Sequence, residues 1–398
     1  MTLSNKKILL LAGGGYADIP LIKAAQELGY FVVTTGNRPE ELGHKQSDKY
    51  HAADYSDPDA MLSLARELAI DAICPSCNDF SAISCAYVAE RLDLPGFDSY
   101  ETNKLIHHKD SFREFAQQNS IPSPKAKGFA DPQLALNSLS EFQFPVIIKP
   151  VDLTGGKGIT KVNIVSDAKS AIEKAYAISK AGRIVVEEFI AGSRHGFSAF
   201  ILDGKVVFHF TDNEHYYLNQ YLVSGASTPS MVSTAAVQKL IAHAERISRL
   251  LALSTGIFHV QFIMRNDEPI IIEICRRPPG DLYILLVKLA TGVDYPSWLV
   301  KASCGLDCSG LKQVDVDGYY LRHCIMASRP GILDGIEIDS GIKDNIIDSM
   351  VWWKAGEIVD DFLVKKFGIV FMKFDSMSEL LTRSNEMQGL IRARVRQI

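Results

Sequence analysis

The stretch Phe144-Pro-Val-Ile-Ile-Lys-Pro-Val-Asp-Leu-Thr-Gly-Gly-Lys-Gly-Ile159 decides the fold. Its apolar run predicts a buried strand that delivers Lys149 to its end, and a glycine-rich turn follows. The backbone N–H groups of such a turn can contact polyphosphate oxygens, and a phosphate would remove the cost of leaving the Lys149 ammonium unpaired. The pattern predicts a phosphate clamp, against the alternative of an edge-strand lysine beside a flexible hairpin. The residues of the predicted clamp are Lys149, Thr154, Gly155, Gly156, Lys157, Gly158 and Ile159.

A second apolar run, Ile184-Val-Val, ends in Glu187-Glu188-Phe189-Ile190. A strand that ends in a hinge suits the recognition of adenine, because backbone groups can contact the base edge and a carboxylate can accept from its amino group. A pair of glutamates after a strand is also typical of a solvated turn. The position downstream of the glycine-rich turn favours the nucleotide interpretation.

The third element comprises Phe258-His-Val-Gln261 and Ile270-Ile-Ile-Glu273-Ile-Cys-Arg276-Arg277. Glu273 lies inside an intensely apolar strand, where a carboxylate is rarely found without a cation or a basic group beside it. Mg²⁺ next to ATP phosphates is one candidate, and a structural ion pair between Glu273 and an arginine is the alternative. Arg276 and Arg277 can offer planar guanidinium groups to a carboxylate or to a phosphoryl group in transfer.

These three elements, in this order and at these separations, resemble the ATP-grasp superfamily, specifically carboxylate–amine ligases similar to L-amino acid ligases, biotin carboxylase and carbamoyl-phosphate synthetase. The resemblance implies ATP and Mg²⁺ (or Mn²⁺) as cofactors. It implies a mixed α/β and α+β fold: a Rossmann-like domain at 1–104, an ATP-grasp domain at 105–310 with a lid-like unit at about 125–210, and a C-terminal antiparallel sheet at 311–398. The expected reaction activates a carboxylate as an acyl phosphate and joins it to an amine.

The resemblance also assigns roles to single residues. Lys109 and Lys149 would match the two lysines that contact ATP phosphates, and residues 187–190 would match the adenine-binding hinge. His195 falls near the position that usually contacts the ribose. Arg277 would hold the acyl phosphate, with Lys149 neutralising charge. Arg276 or Asp281 would orient a substrate.

The metal positions depart from the family pattern. Glu273 matches the main metal carboxylate, but Gln261 replaces the earlier acidic ligand and Cys275 replaces the usual asparagine. Gln261 can coordinate Mg²⁺ through its amide oxygen without contributing negative charge, and a thiol is a poor ligand for so hard a cation. Glu273 and Gln261 are therefore the expected metal ligands. A non-catalytic ATP-binding regulatory module is the alternative that this departure leaves open.

Residues 6–98 alternate short apolar runs with amphipathic segments, which predicts βαβ units on a parallel sheet. The turn at Gly13-Gly14-Gly15 can hold an anion at a helix N-terminus, or can be a plain tight turn. It is not GxGxxG, which argues against a dinucleotide-binding dehydrogenase. Asn78 follows a strand at the edge where open α/β sheets bind ligands. Gly14, Gly15, Asn78 and Asp281 are the candidate substrate contacts.

The composition of the chain argues against nucleic acid and membranes as partners. A net charge of −5 and a pI near 6.1 provide no basic field for nucleic acid. No apolar stretch approaches the roughly 20 residues that span a bilayer, which predicts no membrane contact and a cytoplasmic location. The expected partners are a small-molecule carboxylate and an amine, and a homodimer is compatible with the resemblance. A bicarbonate-activating carboxylase of the biotin or purine type would use the same site.

Overall fold

The N-terminal part of the chain forms a parallel sheet with helices on both faces. The computed structural model describes residues 6–153 and 155–397. The strand order is β3-β2-β1-β4. Alternation along the first strand sends Leu9 and Leu11 into one core and Leu10 and Ala12 into another, which explains why the run is apolar throughout. The elements are β1 (Ile8–Ala12), α1 (Ile19–Glu27), β2 (Phe31–Gly36), β3 (Lys49–Ala52), α2 (Pro58–Leu68), β4 (Ala72–Pro75) and α3 (Asp79–Leu92).

Two helices, α4 (Tyr100–His107) and α5 (Lys109–Gln118), connect this sheet to the next unit. The two helices are separated at His108, whose backbone is extended at φ −97° and ψ 117°. The break places Lys109 in the first turn of α5.

A small antiparallel sheet follows, with the strand order β5-β8-β6-β7. One face packs on α6 and α7 through a separate apolar core. This unit matches the expected lid-like region only up to residue 188, because the next two strands join a different sheet. Its elements are β5 (Ala126–Phe129), α6 (Pro132–Asn137), β6 (Val146–Pro150), β7 (Thr160–Val162), α7 (Ala168–Ile178) and β8 (Ile184–Glu188).

The remaining strands build a large central sheet and a smaller one. The smaller sheet has three strands in the order β17-β15-β19. The elements are β9 (Ser193–Leu202), β10 (Lys205–His215), β11 (Gly225–Thr228), α8 (Thr234–Leu251), β12 (Gly256–Arg265), β13 (Glu268–Cys275), α9 (Tyr283–Thr291), α10 (Tyr295–Ser303), β14 (Tyr319–Ile325), β15 (Gly331–Ile338), β16 (Ile346–Val351), β17 (Ile358–Val359), β18 (Gly368–Phe374), α11 (Met377–Leu390) and β19 (Ile391–Arg396).

The central sheet has eight strands in the order β13-β12-β9-β10-β11-β14-β18-β16. The C-terminal strands are antiparallel, as expected, but β14, β18 and β16 extend this sheet instead of forming a separate layer. The last part of the chain therefore contributes directly to the sheet that carries Gln261 and Glu273. Within the described ranges, no helix is both long and apolar enough to cross a membrane.

Candidate active site

A cavity of about 380 Å³ is lined from both the small antiparallel sheet and the central sheet. Its volume lies in the range of roughly 300–1,000 Å³ that is usual for small-molecule sites. The sequence-predicted residues that the structure brings to this cavity are Lys109, Lys149, Gly155, Gly156, Ile159, Glu187, Glu188, Phe189, Ile190, Gln261, Glu273, Arg277 and Asp281.

One wall of the cavity is a row of side chains across the central sheet. The first row crosses four adjacent strands. Glu273 on β13 lies opposite Gln261 on β12, and on the far side of Gln261 the row continues with Gly196 on β9 and Asp212 on β10. The next row runs from Glu214 through Ala226 to Arg322 on β14. The row residues with side chains all line the cavity, so carboxylates and an amide occupy one part of the wall and a guanidinium occupies β14.

Lys149 lies at the end of β6 in a buried ionic triad. Its Nζ contacts Glu187 Oε1 at 2.5 Å, and Arg113 Nε donates to the other Glu187 oxygen at 3.0 Å. Burial alone would raise the pKa of the Glu187 carboxyl, but the two cations hold it below its usual value. Burial lowers the pKa of Lys149, against the attraction of Glu187. Lys149 is therefore paired with a carboxylate of the protein itself, whereas the sequence predicted only a bound phosphate as its partner.

Lys109 bridges α5 and the central sheet. Its Nζ lies 3.2 Å from Glu273 Oε1 and donates to the backbone oxygen of Leu153 at 2.9 Å. Burial alone would lower the pKa of Lys109, but Glu273 and Asp79 raise it above its usual value. Glu273 is therefore paired with a lysine, not with Arg276 or Arg277 as the structural alternative required.

Arg277 is held by a carboxylate of the N-terminal unit. Its Nε donates to Asp79 Oδ1 at 2.7 Å, and His107 Nδ1 lies 3.2 Å from the same oxygen. Burial alone would raise the pKa of Asp79, but the charges of Arg277 and His107 hold it well below its usual value. This contact fixes the guanidinium in the cavity wall, where a planar group can meet a carboxylate or a phosphoryl group.

Asp281 gathers two cations from the C-terminal part of the chain. Lys366 Nζ donates to Asp281 Oδ2 at 2.5 Å, and Arg322 Nη1 donates to the Asp281 backbone oxygen at 2.8 Å. The Tyr16 hydroxyl donates to Oδ1 at 2.7 Å, and its ring stacks on Trp352 at 4.0 Å. Burial alone would raise the pKa of Asp281, but Lys366 and Arg322 lower it to about 2.

Two further carboxylates, Asp212 and Glu214, line the cavity from β10. Burial raises the pKa of Asp212 to about 7, with a smaller contribution from the charge of Glu214. Burial also raises the pKa of Glu214. Glu214 accepts a hydrogen bond from Gln261 Nε2 at 2.7 Å, and the Tyr283 hydroxyl donates to Asp212 at 2.7 Å.

The glycine-rich turn contributes only part of its predicted set. Thr154 lies outside the described residues. Gly155 and Gly156 line the cavity with φ of +68° and +74°, and a Cβ at Gly156 would lie 2.6 Å from the Tyr221 backbone oxygen. The Lys157 side chain is exposed and does not line the cavity. Gly158 packs on Ile178 instead.

The structure does not bring Arg276 and His195, two of the predicted site residues, to this cavity. The Arg276 guanidinium lies outside the main cavity, where it donates hydrogen bonds to Asp98 and to the backbone oxygens of Ile257 and Ser254. Its donors therefore already have protein acceptors. His195 is buried with Nε2 against Ser193 Oγ at 2.7 Å, and it does not line the cavity.

The structure also does not bring the N-terminal candidates Gly14, Gly15 and Asn78 to the cavity. A Cβ on Gly14 would lie 2.0 Å from the His44 ring, so this glycine permits close packing. Gly15 N donates to Asp18 Oδ2 at 2.9 Å. The Asn78 side chain caps α3 by accepting from Phe80 N at 2.9 Å. The plain-turn alternative describes these residues better than an anion site does.

The donor set fits a divalent metal ion in part. Gln261 and Glu273 face each other across β12 and β13 and provide the oxygen donors that Mg²⁺ and Mn²⁺ prefer. Across the part of the chain that the structure describes, no group of three or more His, Cys, Asp or Glu residues could hold a metal ion. A metal ion here would therefore need oxygens from a bound phosphate as well.

Comparison with known proteins identifies the unit around this cavity. Residues 109–281 match the family model of an ATP-grasp domain. The expected resemblance to the ATP-grasp superfamily is thereby confirmed over this range, and the expected fold class is confirmed as well. The matched range begins at Lys109 and ends at Asp281, two residues that line the cavity.

Similar proteins extend the likeness beyond the ATP-grasp domain. A phosphoribosylamine–glycine ligase of Pyrococcus furiosus is 29% identical over 293 residues, which cover 67% of this chain and 65% of that protein. The L-amino acid ligase of Bacillus licheniformis superposes with a TM-score of 0.82 at 17% identity and covers 100% of both chains. The biotin carboxylase domain of the Hydrogenobacter thermophilus 2-oxoglutarate carboxylase, solved with MgADP, ADP and bicarbonate, gives 0.78 at 17% identity, covering 98% of this chain and 90% of that one.

Proposed function

We propose that this chain is an ATP-dependent carboxylate–amine ligase that forms an acyl phosphate and then an amide or peptide bond, releasing ADP and phosphate. The observation that carries the proposal is the convergence of Lys109, Lys149, Glu273 and Arg277 on one cavity between two sheets. Cations and a metal-binding carboxylate around one cavity suit a triphosphate and the charge that develops on its transfer. The likeness to an L-amino acid ligase and a phosphoribosylamine–glycine ligase supports the same class of reaction.

The nucleotide would lie along the small antiparallel sheet. Gly155 and Gly156 present backbone N–H groups for phosphate oxygens. Phe189 and Ile190 would contact the base, since they follow β8 and line the cavity. Glu273 and Gln261 would hold Mg²⁺ or Mn²⁺, which supplies positive charge against the phosphates when bound.

The proposed reaction has two steps. A substrate carboxylate oxygen attacks the γ-phosphorus of ATP, and the bond between that phosphorus and the bridging oxygen breaks, so that ADP leaves and an acyl phosphate remains. The amine nitrogen then attacks the acyl carbon, the carbon–oxygen bond breaks, phosphate leaves, and the nitrogen loses a proton. Arg277, fixed by Asp79, would hold the reacting carboxylate and its acyl phosphate.

The test is a matrix of acids and amines. Purified protein with ATP and Mg²⁺ should release ADP and phosphate only when a suitable acid and amine are both present. Glu273→Gln should abolish this turnover with folding intact, whereas Glu337→Gln, on β15 and outside the cavity lining, should leave it unchanged. Release that depends on bicarbonate would favour the carboxylase alternative. ADP binding without turnover for any pair would contradict the ligase and favour a regulatory module.

A further inference from the structure

The proposed metal site contains a single carboxylate, and that carboxylate already has a cationic partner. Glu273 already forms an ion pair with Lys109 at 3.2 Å, and the residue opposite it, Gln261, is uncharged. Divalent cations with hard oxygen ligands bind more tightly as the number of ligand charges rises. A second carboxylate near Gln261 would add negative charge to the metal site.

Glu214 provides such a carboxylate. One of its oxygens accepts from Gln261 Nε2 at 2.7 Å, and the other accepts from the Tyr216 hydroxyl. Three of the cations that line the cavity are paired with other carboxylates, since Lys109 contacts Glu273, Lys149 contacts Glu187, and Arg322 contacts Asp281. A fourth, Arg194, donates to the backbone oxygen of Gln220. In the described ranges Glu214 has no ion-pair partner. Burial raises the pKa of this carboxyl, and the charges of Arg322 and Arg194 oppose that effect without a direct ion pair.

This hydrogen bond also fixes the orientation of the Gln261 amide. An ionised carboxylate only accepts hydrogen bonds, so the amide nitrogen must face Glu214 and the amide oxygen remains as an acceptor on the cavity side. Strand β9 lies between the two residues, and its residue opposite Gln261 is Gly196, which has no side chain to separate them. A Cβ on Gly196 would lie 2.4 Å from Asp212 Oδ1, so the Asp212 carboxylate of β10 occupies the space beside β9 where a side chain would not fit.

We propose that Glu214 is a positioning residue of the divalent-metal site: it orients the Gln261 amide oxygen and supplies, from one hydrogen bond away, the negative charge that Gln261 lacks. The inference rests on the nucleotide site proposed above. Outer residues that orient metal ligands typically change metal affinity by about 10- to 100-fold when they are removed.

The experiment measures the ADP dissociation constant of each variant twice, once in EDTA and once in saturating Mn²⁺, by isothermal titration calorimetry. The ratio of the two constants is the contribution of the metal. In Glu214→Gln we expect this ratio to fall by about 10- to 100-fold. In EDTA the same variant should bind ADP as well as the wild type or more tightly, because one negative charge near the phosphates is gone. A merely structural defect would weaken ADP binding under both conditions.

A reciprocal exchange provides the decisive comparison. The double variant Glu214→Gln/Gln261→Glu exchanges the carboxylate and the amide while retaining a hydrogen bond between them, so it should restore the Mn²⁺ contribution to within a few-fold of the wild type. Glu337→Gln removes one negative charge on β15, where Arg392 is its partner, and should leave both constants unchanged. If Glu214→Gln does not fold, as judged by its melting curve, the double variant and Gln261→Leu test the site: the first should retain the Mn²⁺ contribution and the second should lose it.

The outcomes separate this inference from the proposed function. Wild-type protein that binds no ADP would overturn the nucleotide site and the role of Glu214 together. ADP binding by the wild type with an unchanged Mn²⁺ contribution in Glu214→Gln, or a double variant no better than Glu214→Gln, would overturn only the role of Glu214.

Discussion

Exchanging Glu187 for Gln should destabilise the protein far more than exchanging its partner Lys149 for Met, although both changes break the same ion pair. Glu187 carries the single negative charge between two cations, with Lys149 at 2.5 Å and Arg113 at 3.0 Å. All three side chains are no more than 5% exposed. Removing the lysine leaves a neutral Arg113–Glu187 pair, whereas removing the carboxylate leaves two buried cations without an anion.

The magnitudes follow from this charge count. Leaving buried charge unpaired costs about 3–5 kcal/mol. Burial already lowers the pKa of Lys149, so in Glu187→Gln the lysine can lose its proton, and we expect the lower end of that range, ~3 kcal/mol at pH 7. Lys149→Met loses one charged hydrogen bond but keeps a side chain of similar shape, which amounts to roughly 1–2 kcal/mol.

Urea unfolding at pH 7 measures both losses, and the double variant supplies the internal control. Lys149→Met in the Glu187→Gln background removes one of the two unpaired cations, so the double variant should be more stable than Glu187→Gln alone. Equal decreases in the free energy of unfolding of the two single variants, or a double variant less stable than both, would refute the argument from unpaired buried charge. Lys149→Met should also weaken ADP binding while its melting curve remains cooperative.

Two further predictions concern the cavity wall and the N-terminal turn. The pKa of the Asp281 carboxyl is about 2 in the folded chain against 3.8 ordinarily, so its charge stabilises the fold above pH 4 and loses that effect as the pH falls to 2. Urea unfolding should therefore show that the free energy of unfolding falls by about 2 kcal/mol over this window, and Asp281→Asn should lack that fall. Identical pH profiles for the two proteins would contradict the prediction. Gly14→Ala should cost about 1–3 kcal/mol, because the new Cβ collides with His44, while ADP affinity is unchanged; a selective loss of ADP binding would instead restore Gly14 to the site.

The parts of the site that could be predicted are those marked by a local conflict in the sequence. Lys149 and Glu273 are charged residues inside apolar strands, and such residues need partners wherever the strand is buried. The same signal marks Arg322, a single arginine within the buried strand β14, so its place in the cavity wall could also have been predicted. The identity of each partner could not, because Glu187 and Lys109 are brought in by tertiary packing.

Residues on half-buried elements give no comparable signal. Arg113 lies on the amphipathic helix α5, where an arginine is usually a solvated residue, yet it is 1% exposed and neutralises Glu187. Glu214 lies next to the last residue of β10, a strand of mixed composition, and its contact with Gln261 depends on the register of β10, β9 and β12 together. Pairing between strands distant in sequence is set by the whole sheet and not by local pattern.

The continuity of the central sheet makes the C-terminal segment part of the site. Strand β14 pairs with β11 and thereby brings Arg322 into the wall, and Lys366 reaches Asp281 from just before β18. A chain ending near residue 310 would leave Asp281 without both cations and would leave the edge of β11 unpaired, so it would lose binding groups and stability at once. The sequence suggests a nucleotide-binding core and a separate tail, but that division does not follow the cavity, because the tail contributes Arg322 and Lys366 to its lining.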